Sequence, residues 1–179
     1  GTTFVIRVPF RIDTDKVGRI ETEEKQKASI RGLHILLVED NELNMEIAEF
    51  MLQNEGAYVT KAWNGQEAVE IFEKSKPDEF DVILMDIMMP VMNGYEATKM
   101  IRSLDREDAK KISIIAMTAN AFTEDRIRAK EAGMDEHLSK PIVIDEAIKT
   151  ILRCVHFDKE FKNTDNGRSV GSCSKVTEK

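Results

Sequence analysis

Between residues 34 and 155, short apolar runs alternate with longer segments of three-to-four periodicity, and no other feature constrains the fold as much. His34–Val38 (HILLV) is too short for a helix and lacks polar alternation, which suits a strand buried on both faces of a parallel sheet. A helix follows: Asn41 is placed to cap it, Leu43, Ile47, Met51 and Asn54 repeat at helical spacing, and Gly56 ends it. The same pattern predicts strand Tyr58–Ala62, helix Gly65–Lys74, strand Val82–Met85 and helix Gly94–Leu104. Strand Ile112–Met117, helix Thr123–Ala132, strand Asp135–Leu138 and helix Ile144–Val155 complete it. Five such strand–helix units imply an α/β domain, a parallel sheet with helices on both faces.

The flanks differ. Residues 1–12 alternate apolar and polar positions (Phe4, Ile6, Val8, Phe10) as one strand would. Residues 13–31 are charged and unpatterned, the composition of a linker, and 32–155 form the domain. Residues 156–179 are rich in Lys, Asn, Gly, Ser and Thr, a tail expected to be disordered. A formal net charge of -7 disfavours nucleic acid as a partner. No apolar run is long enough to span a bilayer, so no direct membrane contact is expected of this chain. Cys154 and Cys173 lie far apart and match neither a disulfide framework nor a zinc site, which suits a reducing, cytoplasmic setting.

In open α/β sheets, ligands bind beyond the carboxyl ends of the strands where strand order reverses. The residues at those ends are Glu39 and Asp40 after the first strand, Asp86 at the third, Thr118 at the fourth, and Lys140 with Pro141 at the fifth. Three carboxylates held together repel unless protons or a cation join them. Hard oxygen donors suit Mg²⁺, which typically takes one or two carboxylates plus a phosphate. A Lys and a hydroxyl would neutralise phosphoryl oxygens, and an Asp carboxylate is itself a competent nucleophile. Taken singly, each residue has a plainer role. Glu39 and Asp40 could cap the first helix, Asp86 could start a turn, Thr118 could cap the next helix, and Lys140 could lie on a surface loop. Their joint placement at four strand ends points to phosphoryl chemistry on an Asp.

The segments VEDNELN (38–44), DIMMPVMNGYEA (86–97), MTANAF (117–122) and HLSKPI (137–142) closely resemble the motifs of the response-regulator receiver family, in family order and across the whole domain. That resemblance implies a flavodoxin-like fold with strand order 2-1-3-4-5, and Asp86 as the phosphoacceptor. It implies Mg²⁺ on Asp40, Asp86 and the Met88 backbone carbonyl, with Glu39 acting through water, and Thr118 and Lys140 on the phosphoryl group. It also implies a cis peptide at Lys140–Pro141. GTTFVIRVPF (1–10) looks like the closing strand of a histidine-kinase ATP-binding domain, without that domain's nucleotide-binding motifs. The chain therefore reads as the C-terminal part of a hybrid sensor histidine kinase, with no kinase activity of its own. Its expected partners are a histidine kinase domain and a histidine phosphotransfer domain. The tail is too short for a DNA-binding effector.

Three departures carry further expectations. His137 stands where the family usually has Tyr or Phe as a switch ring; it is either an ordinary strand-end residue or, with Thr118, a pH-sensitive switch. Met88, two residues after Asp86, is unsuited to orient an attacking water, so self-dephosphorylation should be slow, with Asn120 offsetting this in part. On the first helix Met45 and Phe50 are expected towards solvent, either as part of a docking face for a phosphotransfer domain or as scattered surface residues.

Two other functions compete. An Asp-nucleophile phosphatase on a related sheet needs an acidic residue two positions after the nucleophile, where this chain has Met88. A binding-only pseudo-receiver generally lacks the acidic pair, the Asp or the Lys, and all are present here.

Overall fold

A computed structural model describes residues 29–119 and 123–165, with side chains at 126–155 in the second stretch. Five strands form: β1 His34–Val38, β2 Tyr58–Ala62, β3 Val82–Asp86, β4 Ser113–Thr118 and β5 Glu136–Ser139. They pair in parallel in the order β2-β1-β3-β4-β5. The chain runs outward from β1 to β2 and then crosses back to β3, so the strand order reverses between β1 and β3. Every residue of β3 and β4 is buried, as a central parallel strand covered on both faces requires. β2 lies at the edge and leaves Tyr58 and Thr60 exposed.

The helices are α1 Glu42–Asn54, α2 Gly65–Lys74, α3 Gly94–Ser103, α4 Glu107–Lys111, α5 Thr123–Ala132 and α6 Ile144–Asp165. Alternate strand residues feed two cores. Leu36, Val38, Ile83, Met85, Ile114 and Ala116 pack with Val69 and Phe72 of α2, Ala97 and Ile101 of α3 and Ala129 of α5. Ile35, Leu37, Val82, Leu84, Ile115 and Met117 pack on the other face with α1 and α6. This is the doubly wound, flavodoxin-like arrangement expected.

Three features differ from the sequence reading. In α1 the buried residues are Met45, Ala48 and Leu52, while Leu43, Ile47 and Phe50 are exposed. Met45 is therefore corrected to a core residue; Phe50 does face solvent. The helix is apolar on two sides, so periodicity alone leaves its rotation open. The rotation adopted sets the small Ala48 against the sheet. The short helix α4 was not foreseen; Arg106, just before it, holds it to the C-terminal end of α2. The Arg106 guanidinium donates to the carbonyls of Phe72 (2.5 Å), Ser75 (3.1 Å) and Lys76 (3.2 Å) and pairs with Asp108 at 2.6 Å. Finally, α6 runs to Asp165, ten residues beyond the predicted end at Val155, across a stretch that has neither Gly nor Pro before Gly167. The strand assigned to 1–12, the linker up to residue 28, Asn120 and residues 166–179 lie outside the described residues.

Candidate functional site

The β1–β3 reversal opens a cleft at the carboxyl ends of the strands. Glu39 extends β1 by one rung, its N–H donating to the Ala62 carbonyl at 3.1 Å, and it is buried; Asp40 beside it is exposed. Neither caps α1. That cap is Asn41, whose side-chain oxygen accepts from the Asn44 N–H at 3.1 Å, which leaves the acidic pair unused by the helix. Asp86 closes β3 and is 5% exposed. Carboxylate oxygens of Glu39, Asp40 and Asp86 lie within 4.8 Å of one another.

Thr118 closes β4 and is buried, and its carbonyl accepts from the Lys140 N–H at 2.8 Å, which fixes the loop after β5. The Lys140–Pro141 peptide bond is cis. The Lys140 ammonium bridges two carboxylates, with Nζ 2.5 Å from Glu39 Oε2 and 2.8 Å from Asp86 Oδ2. The second Glu39 oxygen accepts from the Asn44 side-chain amide at 2.9 Å. The Met88 N–H donates to Asp86 Oδ1 at 3.3 Å, while the Met88 side chain is 80% exposed.

Burial pushes the Asp86 carboxyl above its usual range; Lys140 offsets this in part, the Glu39 charge adds to it, and the Met88 N–H pulls back down. Burial works against the Lys140 charge, but the bonds to Asp86 and Glu39 outweigh it and hold the ammonium above its ordinary value. Three carboxylates facing one ammonium leave an excess of negative charge. The clustered donors are all carboxylate oxygens, from Glu39, Asp40 and Asp86. That set fits a small hard divalent cation such as Mg²⁺.

The four strand-end motifs thus converge on one cleft. His137 stands apart from it: half-buried on β5, it lines a cavity of about 370 Å³ with Arg126, Ile127, Lys130 and Met134. Sequence reasoning missed Asn44. A signal was available, because the third helical position after an Asn cap carries Glu in α2 and α3 but Asn in α1. Among the described residues, no helix is long and apolar enough to cross a membrane.

Comparison with known proteins agrees with this geometry. Residues 35–152 match the family model of the response regulator receiver domain. The chain is 37% identical over 134 residues to hybrid signal transduction histidine kinase L of Dictyostelium discoideum, covering 74% of this chain and 8% of that protein. It thus spans only a small fraction of the length of the histidine-kinase relatives it matches. Among solved structures, it is similar to the receiver domain of sensor histidine kinase PA1611 from Pseudomonas aeruginosa PAO1, which has a magnesium ion coordinated in its active-site cleft. That likeness has 40% identity and a TM-score of 0.63, covering 70% of this chain and 98% of that one. It is also similar to the receiver domain of Ssk1 in complex with the histidine phosphotransfer protein Ypd1 of Saccharomyces cerevisiae, at 30% identity and a TM-score of 0.63, covering 71% and 91%. The chain belongs to the response regulator receiver domain family.

Proposed function

We propose that this chain is the phosphoacceptor module of a phosphorelay, in which Asp86 takes a phosphoryl group from a phosphohistidine and passes it to a partner. The observation that carries this reading is the buried Asp86 carboxylate, 2.8 Å from Lys140 and grouped with two further acids at the switch point of the sheet. An Asp86 oxygen forms the new O–P bond while the N–P bond of the donor breaks, its electron pair passing to the imidazole nitrogen. Glu39, Asp40, Asp86 and the Met88 backbone carbonyl would hold Mg²⁺, which supplies positive charge to the transferring oxygens. Lys140 leaves Glu39 for a phosphoryl oxygen, and Thr118 donates its hydroxyl to another. His137 then follows Thr118 as the second element of the switch.

The partners in this reading are a histidine kinase domain and a histidine phosphotransfer domain, and the chain is the C-terminal part of a hybrid histidine kinase working in the cytoplasm. Its likeness to a hybrid kinase and to a receiver crystallised with a phosphotransfer protein supports this. The Leu43, Ile47 and Phe50 stripe on α1, adjoining the cleft, supports docking of a helical partner there. The test is intact mass after incubation with acetyl phosphate and Mg²⁺, beside Asp86→Asn. One phosphoryl adduct that needs Mg²⁺ and is missing from the variant is the expected result. If neither acetyl phosphate nor a kinase phosphorylates the folded protein, it is a binding-only module.

A further inference from the structure

Three helices of this domain start in the same way, with an Asn cap accepting from the backbone N–H of the third helical residue: Asn41 from Asn44, Asn64 from Glu67, and Asn93 from Glu96. In two of them the third residue is Glu and its carboxylate serves the helix entry. Glu67 accepts from the Trp63 N–H at 2.8 Å, and Glu96 accepts from the Asn93 N–H at 3.3 Å, closing a capping box. In α1 that residue is Asn44, and its amide instead donates to Glu39 Oε1 at 2.9 Å. A Glu there would put a fourth carboxylate against a buried acid, whereas the amide supplies a neutral donor.

We infer that Asn44 is a positioning residue for the cation site, holding the Glu39 carboxylate through every stage of the reaction; this rests on the phosphoacceptor reading above. Glu39 has two holders, Lys140 on Oε2 and Asn44 on Oε1. Lys140 is shared with Asp86 and is drawn off once a phosphoryl group stands between them. Asn44 is fixed by its own backbone bond to Asn41, and among the described residues its side-chain amide serves Glu39 alone, so it keeps Glu39 aimed into the cleft when Lys140 departs. A buried carboxylate without that bond would turn away from the cleft, and the site would lose part of its charge for the cation.

The test is titration calorimetry of the full chain with MgCl₂, beside thermal melting in EDTA and phosphorylation by acetyl phosphate at low and saturating Mg²⁺. For Asn44→Ala the expected result is an Mg²⁺ Kd raised about 10-fold, typical for loss of a group that orients a metal ligand. Its melt in EDTA should be close to that of the original. Its phosphorylation rate should fall at low Mg²⁺ and recover at saturation. Asn44→Ser, which retains a hydroxyl donor, should lie between the two and stands in should the Ala variant fold poorly. Unchanged Mg²⁺ affinity in a folded variant, or a rate defect that saturation does not relieve, overturns the assignment of Asn44. If the original protein takes up no Mg²⁺ at all, the phosphoacceptor reading itself fails, a result distinct from the other two.

Discussion

The backbone carbonyl of Asp86 occupies the space that a side chain on Gly94 would need, so the start of α3 is pressed directly against the phosphoacceptor. Gly94 also donates its N–H to the Ile87 carbonyl at 3.0 Å, which ties the loop closed over the six intervening residues to a single geometry. The neighbour is backbone at the end of a buried strand and has nowhere to yield. Gly94→Ala should therefore destabilise the domain by about 3 kcal/mol, the upper end for overpacking a rigid site. It should also impair phosphorylation of whatever remains folded. Urea unfolding checks the first effect, and a loss under 1 kcal/mol would mean that the loop adapts.

Inside that loop, Val91 has a φ of 68° and the Met92 N–H bonds back to the Pro90 carbonyl at 2.8 Å. A three-residue turn of this hand is rare, and a β-branched residue at its centre is strained. The Val91 side chain is 84% exposed, so little packing repays the strain. Relief of about 1–3 kcal/mol exceeds the extra entropy that glycine brings to the unfolded chain. Val91→Gly is expected to stabilise by about 1 kcal/mol and raise the Tm by about 4 °C. A lower Tm would show that the turn is unstrained or that Val91 packs in solution.

Away from the cleft, Arg106 and Asp108 make a pH-dependent clasp. Both side chains are largely buried, Arg106 lies over the Phe72 ring at 4.6 Å, and Asp108 also accepts from the Asp78 N–H at 3.0 Å. The Arg106 hydrogen bond, working against burial, holds the Asp108 carboxyl below its usual range. A carboxyl with a depressed folded-state pKa binds its proton less readily folded than unfolded. Its contribution is thus complete above the ordinary value of about 4 and fades as pH falls below it. Arg106→Ala should cost about 3 kcal/mol at neutral pH by leaving buried partners unpaired. Asp108→Asn should cost less, and its stability curve should converge on that of the original protein under acid. A gap that stays constant down to about pH 3 would assign the loss to packing instead of charge.

Met88 bears on how long the phosphoryl group persists. Its side chain points to solvent beside the acceptor and offers no hydrogen bond to an attacking water. Loss of the phosphoryl group from Asp86 should be slow, on a scale of many minutes, which suits a relay that waits for its partner. Met88→Asn should shorten the lifetime several-fold by adding an amide that can orient water. Release of inorganic phosphate from the purified phosphorylated chain measures both. A lifetime of seconds in the original protein would remove the argument.

How much of this could be read from the chain depends on how local each signal is. The buried strands announce themselves because Val82–Met85 and Ile114–Met117 are continuous apolar runs, and their ends mark the cleft through the general rule for open sheets. That is how Glu39 and Lys140, 101 positions apart, were placed at one site. The rotation of α1 was not legible, because Leu43, Ile47 and Phe50 repeat at helical spacing as well as Met45, Ala48 and Leu52 do. Only the contact with the sheet chooses between them. Arg106 was invisible for another reason: one basic residue before a five-residue helix carries no periodic signal, and its carbonyl partners lie at and just beyond the C-terminal end of α2.

The correction to α1 moves the docking test onto different residues. Met45 lies in the core, so replacing it would only unfold the domain, at a cost of several kcal/mol. Leu43, Ile47 and Phe50 form the outward stripe, and Ile47 also lines a small cavity with Met51, Lys140, Pro141 and Ile142 at the edge of the cleft. A partner helix laid along this stripe would bring its histidine towards Asp86 while covering apolar surface otherwise left in water. Acetyl phosphate needs no such contact. Phe50→Glu should therefore leave phosphorylation by acetyl phosphate and the Tm nearly unchanged, yet slow transfer to or from a cognate phosphotransfer domain at least 10-fold, the loss of about 1.4 kcal/mol of contact. Stopped transfer reactions at sub-saturating partner give the rate. Equal slowing with both donors would place the defect in the cleft, and no slowing with either would leave the stripe without a role in docking.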